Sequence, residues 1–320
     1  MKNYMKYLLP LLFLPLVACN NDDNQSVADE AERWEVMVLF PEGGLGDQGY
    51  NDNTLRGMEE AAQERSDLSL TYFTPDKDGD VGEFFRVLLL QKLDKGSHLL
   101  LVLAGSEYGD LARSLMADTM RYPDLDRKIV LLFESDEMEE AVYTFRILFD
   151  QASYQLGQLA ASLTTQAAIL LGNSTDPIIR EAAQGFANGF KDMGGEAPEI
   201  HALADTPSGF AMPAEAYSYA VKWAATHVDA QTFIYPLAGG SNQGIYRYTR
   251  ENESRLWAAG VDVDQSRFSK DIIASVVKHT DRIVKQFLVD WRDGKELPKH
   301  STYDVESGMI ELVTNKTNNK

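Results

Sequence analysis

Acidic residues supply most of the reactive groups in this chain, and their spacing decides what chemistry is open to it. Asp76-Lys77-Asp78-Gly79-Asp80 has the alternation that opens a calcium loop. Such a loop needs glycine at its sixth position for a sharp turn and a bidentate glutamate at its twelfth. Here those positions are Val81 and Val87, so the segment reads as a solvated acidic turn. Asp262-Val263-Asp264 has the spacing of a metal-binding pair in a nucleoside hydrolase or a glycosyltransferase, but no companion Asp or His cluster accompanies it. His98, His201, His227, His279 and His300 show no zinc-ligand spacing, and no GxSxG marks an activated serine. PEGGLGDQG (41–49) is glycine-rich, yet it lacks the Gly-Lys-Ser/Thr of a phosphate-binding loop, and its Asp47 would repel a phosphate. Catalysis therefore has no nucleophile, metal or acid–base pair to use. No cofactor is expected, and the chemistry that remains is binding.

Composition narrows the partner. The 320 residues carry 30 Lys and Arg against 49 Asp and Glu, a formal charge of −19 that disfavours a nucleic-acid backbone as ligand. The single cysteine, Cys19, excludes an internal disulfide framework. It follows Leu16-Val17-Ala18 at the end of an apolar run that begins after Lys2 and Lys6. Pro10 and Pro15 interrupt the run, which is too short to span a bilayer comfortably. The pattern resembles a bacterial lipobox, so residues 1–18 read as a lipoprotein signal peptide and Cys19 as the lipidated first residue of the mature chain. The polar, acidic stretch 19–33 reads as a tether that holds the folded part off the membrane, outside the cytoplasm.

Beyond Trp34 the chain alternates β-rich apolar runs with amphipathic helices. Strands are predicted at 35–40, 68–73, 98–105, 129–133 and 141–149, with helices over 53–65, 83–95 and 108–121. A second series has strands at 167–172, 199–204, 232–240 and 256–264 and helices over 152–165, 176–193, 213–227 and 242–252. A long helix over Lys270–Asp293 and a strand-like stretch over 301–313 close the chain, with a tail at 315–320. Continuous apolar runs separated by helices predict parallel strands covered on both faces. The fold class is α/β, two doubly wound lobes facing each other across a cleft: lobe I is 34–150 plus about 265–298, and lobe II is 151–264 plus about 299–314. Crossings near Asp150, Asp264 and Lys299 would form the hinge. Ligands bind such sheets at the carboxyl ends of strands, which directs attention to the loops 41–53, 104–110, 172–177, 237–244 and 260–265.

GGLGDQGYNDNTLRGMEEA (43–61) resembles the corresponding loop and helix of the basic membrane protein family, the purine-nucleoside-receptor-like lipoproteins, whose signature there is Asp-Lys-Ser-Phe-Asn. FDQASYQLGQLAA (149–161), EAAQGFANGFKDMGG (181–195), AGVDVDQ (259–265) and SVVKHTDRIVKQFL (275–288) are similar to further family segments, in order, the last as the family's long helix. The resemblance implies a type I periplasmic-binding-protein fold, a monomer, capture of a nucleoside, and delivery to an ABC permease. It places Asp47, Tyr50 and Asn51 at the ligand, Gly239 and Gly240 in a second-lobe glycine loop, Asp262 at the ribose and Lys278 beside the sugar. Gln48, Gly49 and Tyr50 depart from the family's Lys, Ser and Phe.

The residue chemistry agrees with that placement. An aromatic face stacks on a base, a contact worth about 1–3 kcal/mol. Asn offers a donor and an acceptor to a base edge, and ionised Asp accepts from sugar hydroxyls. Phe210, in TPSGFAMP, is the candidate for the second face of the base. Loop capping is the competing use for Asp47, Asn51 and Asp262, a solvated helix charge for Lys278, and ordinary core packing for Phe210. A lipoprotein of the same fold that senses a ligand for a signalling partner remains open beside transport.

Overall fold

The computed structural model describes residues 33–75, 81, 98–117, 128–138, 142–252 and 255–315. The signal peptide, Cys19, nearly all of the tether, the Asp76–Asp80 turn and the helix expected over 83–95 lie outside the described residues.

In chain order the elements are β1 (Trp34–Leu39), α1 (Tyr50–Glu64), β2 (Leu68–Phe73), β3 (His98–Leu103), α2 (Gly109–Ala117), β4 (Lys128–Phe133) and β5 (Val142–Ile147). There follow α3 (Asp150–Ala161), β6 (Ala167–Asn173), α4 (Pro177–Asp192), β7 (Glu199–Ala204), α5 (Pro213–Thr226) and β8 (Thr232–Leu237). The chain then forms α6 (Asn242–Glu251), β9 (Leu256–Asp262), β10 (Ile272–Lys278), α7 (Thr280–Arg292), β11 (His300–Tyr303) and β12 (Ile310–Thr314). Among the described residues these strands form two six-stranded sheets, ordered β2-β1-β3-β4-β5-β11 and β7-β6-β8-β9-β10-β12. Every described pairing is parallel except that of β12 with β10.

Side-chain alternation explains why these strands carry near-continuous apolar runs. Val36 and Val38 of β1 join one core cluster, while Met37 and Leu39 join another on the opposite face. Leu100 and Val102 of β3 divide from Leu99, Leu101 and Leu103 in the same way. A strand with both faces buried favours apolar residues at nearly every position, and a polar one there needs a partner.

The long helix expected over 270–293 is instead a strand followed by a helix. Ile272–Lys278 is buried at every position and pairs with β9 on one side and β12 on the other. Ile272, Ile273, Val276 and Val277 are β-branched, which suits a pleated surface better than a helix interior. The segment 275–288, expected as one family helix, accordingly changes structure at His279. Segment membership moves with it. β10, expected with lobe I, belongs to the second sheet, and β11, expected with lobe II, pairs with β5 in the first. The crossings therefore fall at Phe149–Asp150, at His279 and between Tyr303 and Ile310.

After the second crossing, α7 packs on α1 so closely that a Cβ on Gly57 would lie 2.2 Å from the Asp281 carbonyl oxygen. Asn53 of α1 also donates to the Lys278 carbonyl (3.2 Å) and to Thr280 Oγ1 (3.1 Å), tying α1 to the end of β10. Gly57→Ala should separate the two helices and destabilise the protein by about 1–3 kcal/mol, despite alanine's better helix propensity. Urea denaturation checks this; stability equal to or above that of the parent would contradict the packing described.

Candidate functional site

A cleft of about 820 Å³, partly open to solvent, lies at the carboxyl ends of the strands of both sheets. Both sheets reverse strand order where two β-α crossovers part, between β1 and β3 and between β6 and β8, and loops from these points reach the cleft. All five loops singled out in the sequence contribute lining residues, and all eight residues named as ligand contacts lie there: Asp47, Tyr50, Asn51, Phe210, Gly239, Gly240, Asp262 and Lys278.

Asp47 is spent on local structure. Its Oδ1 accepts from the Gly49 and Asp52 backbone N–H groups (2.9 and 3.2 Å), and Oδ2 accepts from Asn51 N and Asn51 Nδ2 (2.9 and 3.0 Å). The N-cap position, Gly49, has no side chain to cap α1, and Asp47 takes that role from two residues upstream. Four accepted bonds use a carboxylate's lone pairs, so Asp47 orients the site rather than offering it an acceptor. Asn51 gains a defined orientation: its amide nitrogen must face the carboxylate, and Oδ1 is left buried without a partner.

Burial, partly offset by those hydrogen bonds, raises the Asp47 pKa from 3.8 to about 6. A carboxyl with a raised folded pKa binds more protons folded than unfolded between pH 4 and 6, so its stability contribution falls as pH rises through that window. A shift of about two units corresponds to about 3 kcal/mol. Relative to Asp47→Asn, which does not titrate, the parent should lose about that much stability between pH 4 and pH 7. A constant difference between the two proteins in denaturation at both pH values would refute it.

Lys278 stands at the carboxyl end of β10, and because β10 is a strand the side chain enters the cleft. It is 6 % exposed. Its Nζ lies 3.2 Å from Asp262 Oδ1 and 3.7 Å from Glu134 Oε1, between the rings of Tyr50 (4.7 Å to the centroid) and Phe149 (4.5 Å). Burial opposes the charge, but Asp262 and Glu134 outweigh it and the net shift of the ammonium is upward. The pairing crosses the cleft, since Lys278 and Asp262 belong to the second sheet and Glu134 follows β4 of the first. Glu134 and Phe149 were not foreseen. The signal for Glu134 was a carboxylate directly after the apolar run 129–133, in a loop without the glycine that marked the others.

Among the described residues three other than glycine adopt positive φ: Gln48 (53°), Glu134 (51°) and Asp262 (70°). Asp262 and Glu134 line the cleft, and Gln48 belongs to its first loop. Asp262 sits at the centre of a tight turn closed by Val263 N–H to the Val261 carbonyl (2.9 Å), a strained arrangement that aims its carboxylate at Lys278. Asp264 does not join it. That carboxylate accepts from Ser266 N–H (2.9 Å), so Asp262 and Asp264 do not converge on a metal position. Among the described residues no group of three or more His, Cys, Asp or Glu could hold a metal ion. Gln265 spans the lobes, its Nε2 donating to the Gln48 carbonyl (3.0 Å).

Phe210 lies in a 3-10 turn (Pro207–Ala211) bracketed by Ser241, whose Oγ donates to the Gly209 carbonyl (2.7 Å) and accepts from Met212 N–H (2.6 Å). The ring rests on glycine. A Cβ on Gly172 would meet it at 2.4 Å, and one on Gly239, which adopts φ 53°, would lie 3.3 Å from Phe210 Cβ. Gly239 and Gly240 thus make room for the aromatic as well as lining the cleft. Tyr50 from the first lobe and Phe210 from the second offer two aromatic surfaces, with a charge-paired polar end at Lys278.

The family model described as ABC transporter substrate-binding protein PnrA-like (Bmp) matches residues 34–320. The chain belongs to this family. The family is one of substrate-binding proteins of ABC transporters, which capture a solute rather than transform it. Basic membrane protein C of Borreliella burgdorferi is 21% identical over 334 aligned positions, covering 97% of this chain and 88% of that protein. Solved structures share the type I periplasmic-binding-protein fold. A solute-binding protein from Aeropyrum pernix K1 aligns at a TM-score of 0.69 and 20% identity over 87% of this chain and 76% of its own. A transcriptional activator from Bacillus halodurans aligns at 0.66 and 16% identity (90% and 92%), and a glucose-galactose binding protein from Geobacillus stearothermophilus at 0.59 and 16% (90% and 100%).

Proposed function

We propose that this Bmp-family protein captures a nucleoside in the interlobe cleft and passes it to an ABC permease. The observation that carries the reading is the pairing of two aromatic side chains from opposite lobes, Tyr50 and Phe210, with an Asp262–Lys278 pair in one cavity. Two aromatic side chains lining one cavity suit a ligand with a flat base. Asn51 Oδ1 is a free acceptor for a base donor, and Asp262 is an acceptor for ribose hydroxyls. The lysine is already neutralised by two carboxylates, which leaves little attraction for an anionic ligand.

Mass spectrometry of the small molecule that co-purifies with the protein tests the reading. A purine nucleoside is expected, and a free sugar or an amino acid in its place would overturn it. Lipid anchoring through Cys19 belongs to the same proposal. Cys19→Ser should abolish incorporation of labelled fatty acid and release the protein from the membrane fraction, and labelling that persists in the variant rules out that anchor.

A further inference from the structure

Two charged side chains meet across the first crossing between the sheets, Phe149–Asp150. Arg146 stands on β5 of the first sheet, and Glu181 on α4, which follows β6 of the second. Arg146 Nη2 donates to Glu181 Oε2, and Nη1 donates to Asp136 Oδ1 at 3.1 Å. Asp136 follows β4 in the arginine's own lobe, so it orients the guanidinium and leaves the second nitrogen for the other lobe. The Arg146 and Glu181 side chains are 26% and 25% exposed, against 81% for Asp136. Water and salt therefore screen the interlobe arm less than the in-lobe one.

Packing fixes each member to its own side of the crossing. Arg146 is held in a strand that ends just before it, at Ile147. Glu181 lies one helical turn before Gly185, where a Cβ would fall 2.3 Å from the Asp150 carbonyl oxygen, so α4 rides with the start of α3. A rotation at 149–150 therefore moves Glu181 relative to Arg146. Neither residue lines the ligand cleft. We propose that Arg146 and Glu181 form a latch across this hinge, which stabilises the closed arrangement of the lobes before any ligand arrives. A ligand that binds the closed form gains from the latch without touching it, because apparent affinity scales with the closed fraction. The latch goes beyond the nucleoside reading, since it acts on the lobes whatever solute the cleft holds.

Electron–electron double resonance on the ligand-free full chain tests this. Nitroxides at Ser69→Cys and Glu199→Cys report the lobe separation: both positions are exposed, and β2 and β7 are the edge strands opposite the crossings. Cys19→Ser in the background leaves these as the only thiols. The parent should show a short-distance, closed population. Glu181→Gln should lower the closed-to-open ratio by about two- to fivefold. Arg146→Gln and the double variant should produce the same shift and not a larger one, since one interlobe contact is lost in all three. Asp136→Asn, which removes only the in-lobe partner, should shift the ratio less than Glu181→Gln does. A parent with no closed population, an unchanged distribution in Glu181→Gln, additive shifts in the double variant, or equal shifts from Asp136→Asn and Glu181→Gln would each overturn the latch. No ligand is added, so the result stands apart from whether the cleft takes a nucleoside.

Discussion

Lys278→Met lowers the stability of the ligand-free protein by about 3–5 kcal/mol at pH 7, the range seen when one partner of a buried ion pair is removed. The substitution keeps the volume and takes away the positive charge that, among the described residues, pairs with Asp262 and Glu134, at 3.2 and 3.7 Å. Both carboxylates are buried, and burial already holds Glu134 above its ordinary pKa. Without the lysine, folding raises the Glu134 pKa further. Raised folded-state values mean stability is recovered as pH falls, so the deficit against the parent should shrink between pH 7 and pH 4.5. Adding Glu134→Gln should restore part of it at pH 7. Urea denaturation at the two pH values measures this. A loss below 1 kcal/mol, or one independent of pH, would mean that Lys278 is not what neutralises the cleft.

Asp262→Ala should weaken nucleoside binding by about 100-fold or more. Truncating one member of a buried, hydrogen-bonded charge pair costs about 2–5 kcal/mol in comparable interfaces. Here the variant would also leave ribose donors facing no acceptor in a closed cleft. Asp262→Asn, which keeps the shape and one acceptor, should lose less than the alanine variant. Calorimetry on folded variants decides the matter, and affinity within threefold of the parent would remove Asp262 from the site.

The sheet architecture was legible because strands buried on both faces spell it out. LLLVL (99–103) and AAILL (167–171) are apolar at every position, and both belong to interior strands. IIASVVK (272–278) carried the same mark, four β-branched residues in seven, yet it runs into α7 with no glycine or proline to break the pattern. Taken as the start of a helix, it misplaced a lobe boundary. Lys278 was named for its resemblance to a family position and proved to be at the cleft for a different structural reason, the end of a strand. Asp47 was legible as a residue of the site, and of the two uses weighed for it, ligand contact and loop capping, its hydrogen bonds are those of capping. The four donors that fill its carboxylate come from backbone geometry of the turn, which residue types do not reveal. Glu134 was missed because its position depends on the first sheet meeting the second, a contact between residues 144 positions apart in sequence. Phe210 was found by residue type, while the glycines that seat it, Gly172 and Gly239, became meaningful only once their close approach to its ring was seen.

The central claim is capture of an uncharged nucleoside, and isothermal titration of the chain from residue 32 onward with a nucleoside and with its 5′-monophosphate tests it most directly. A phosphate a few Å from Asp262 and Glu134 would suffer repulsion of several kcal/mol at an effective dielectric of about 20, with Lys278 already neutralised. The account predicts binding of the nucleoside and at least about 100-fold weaker binding of the monophosphate. Equal affinity for the two ligands, or no measurable heat with any nucleoside, would contradict it.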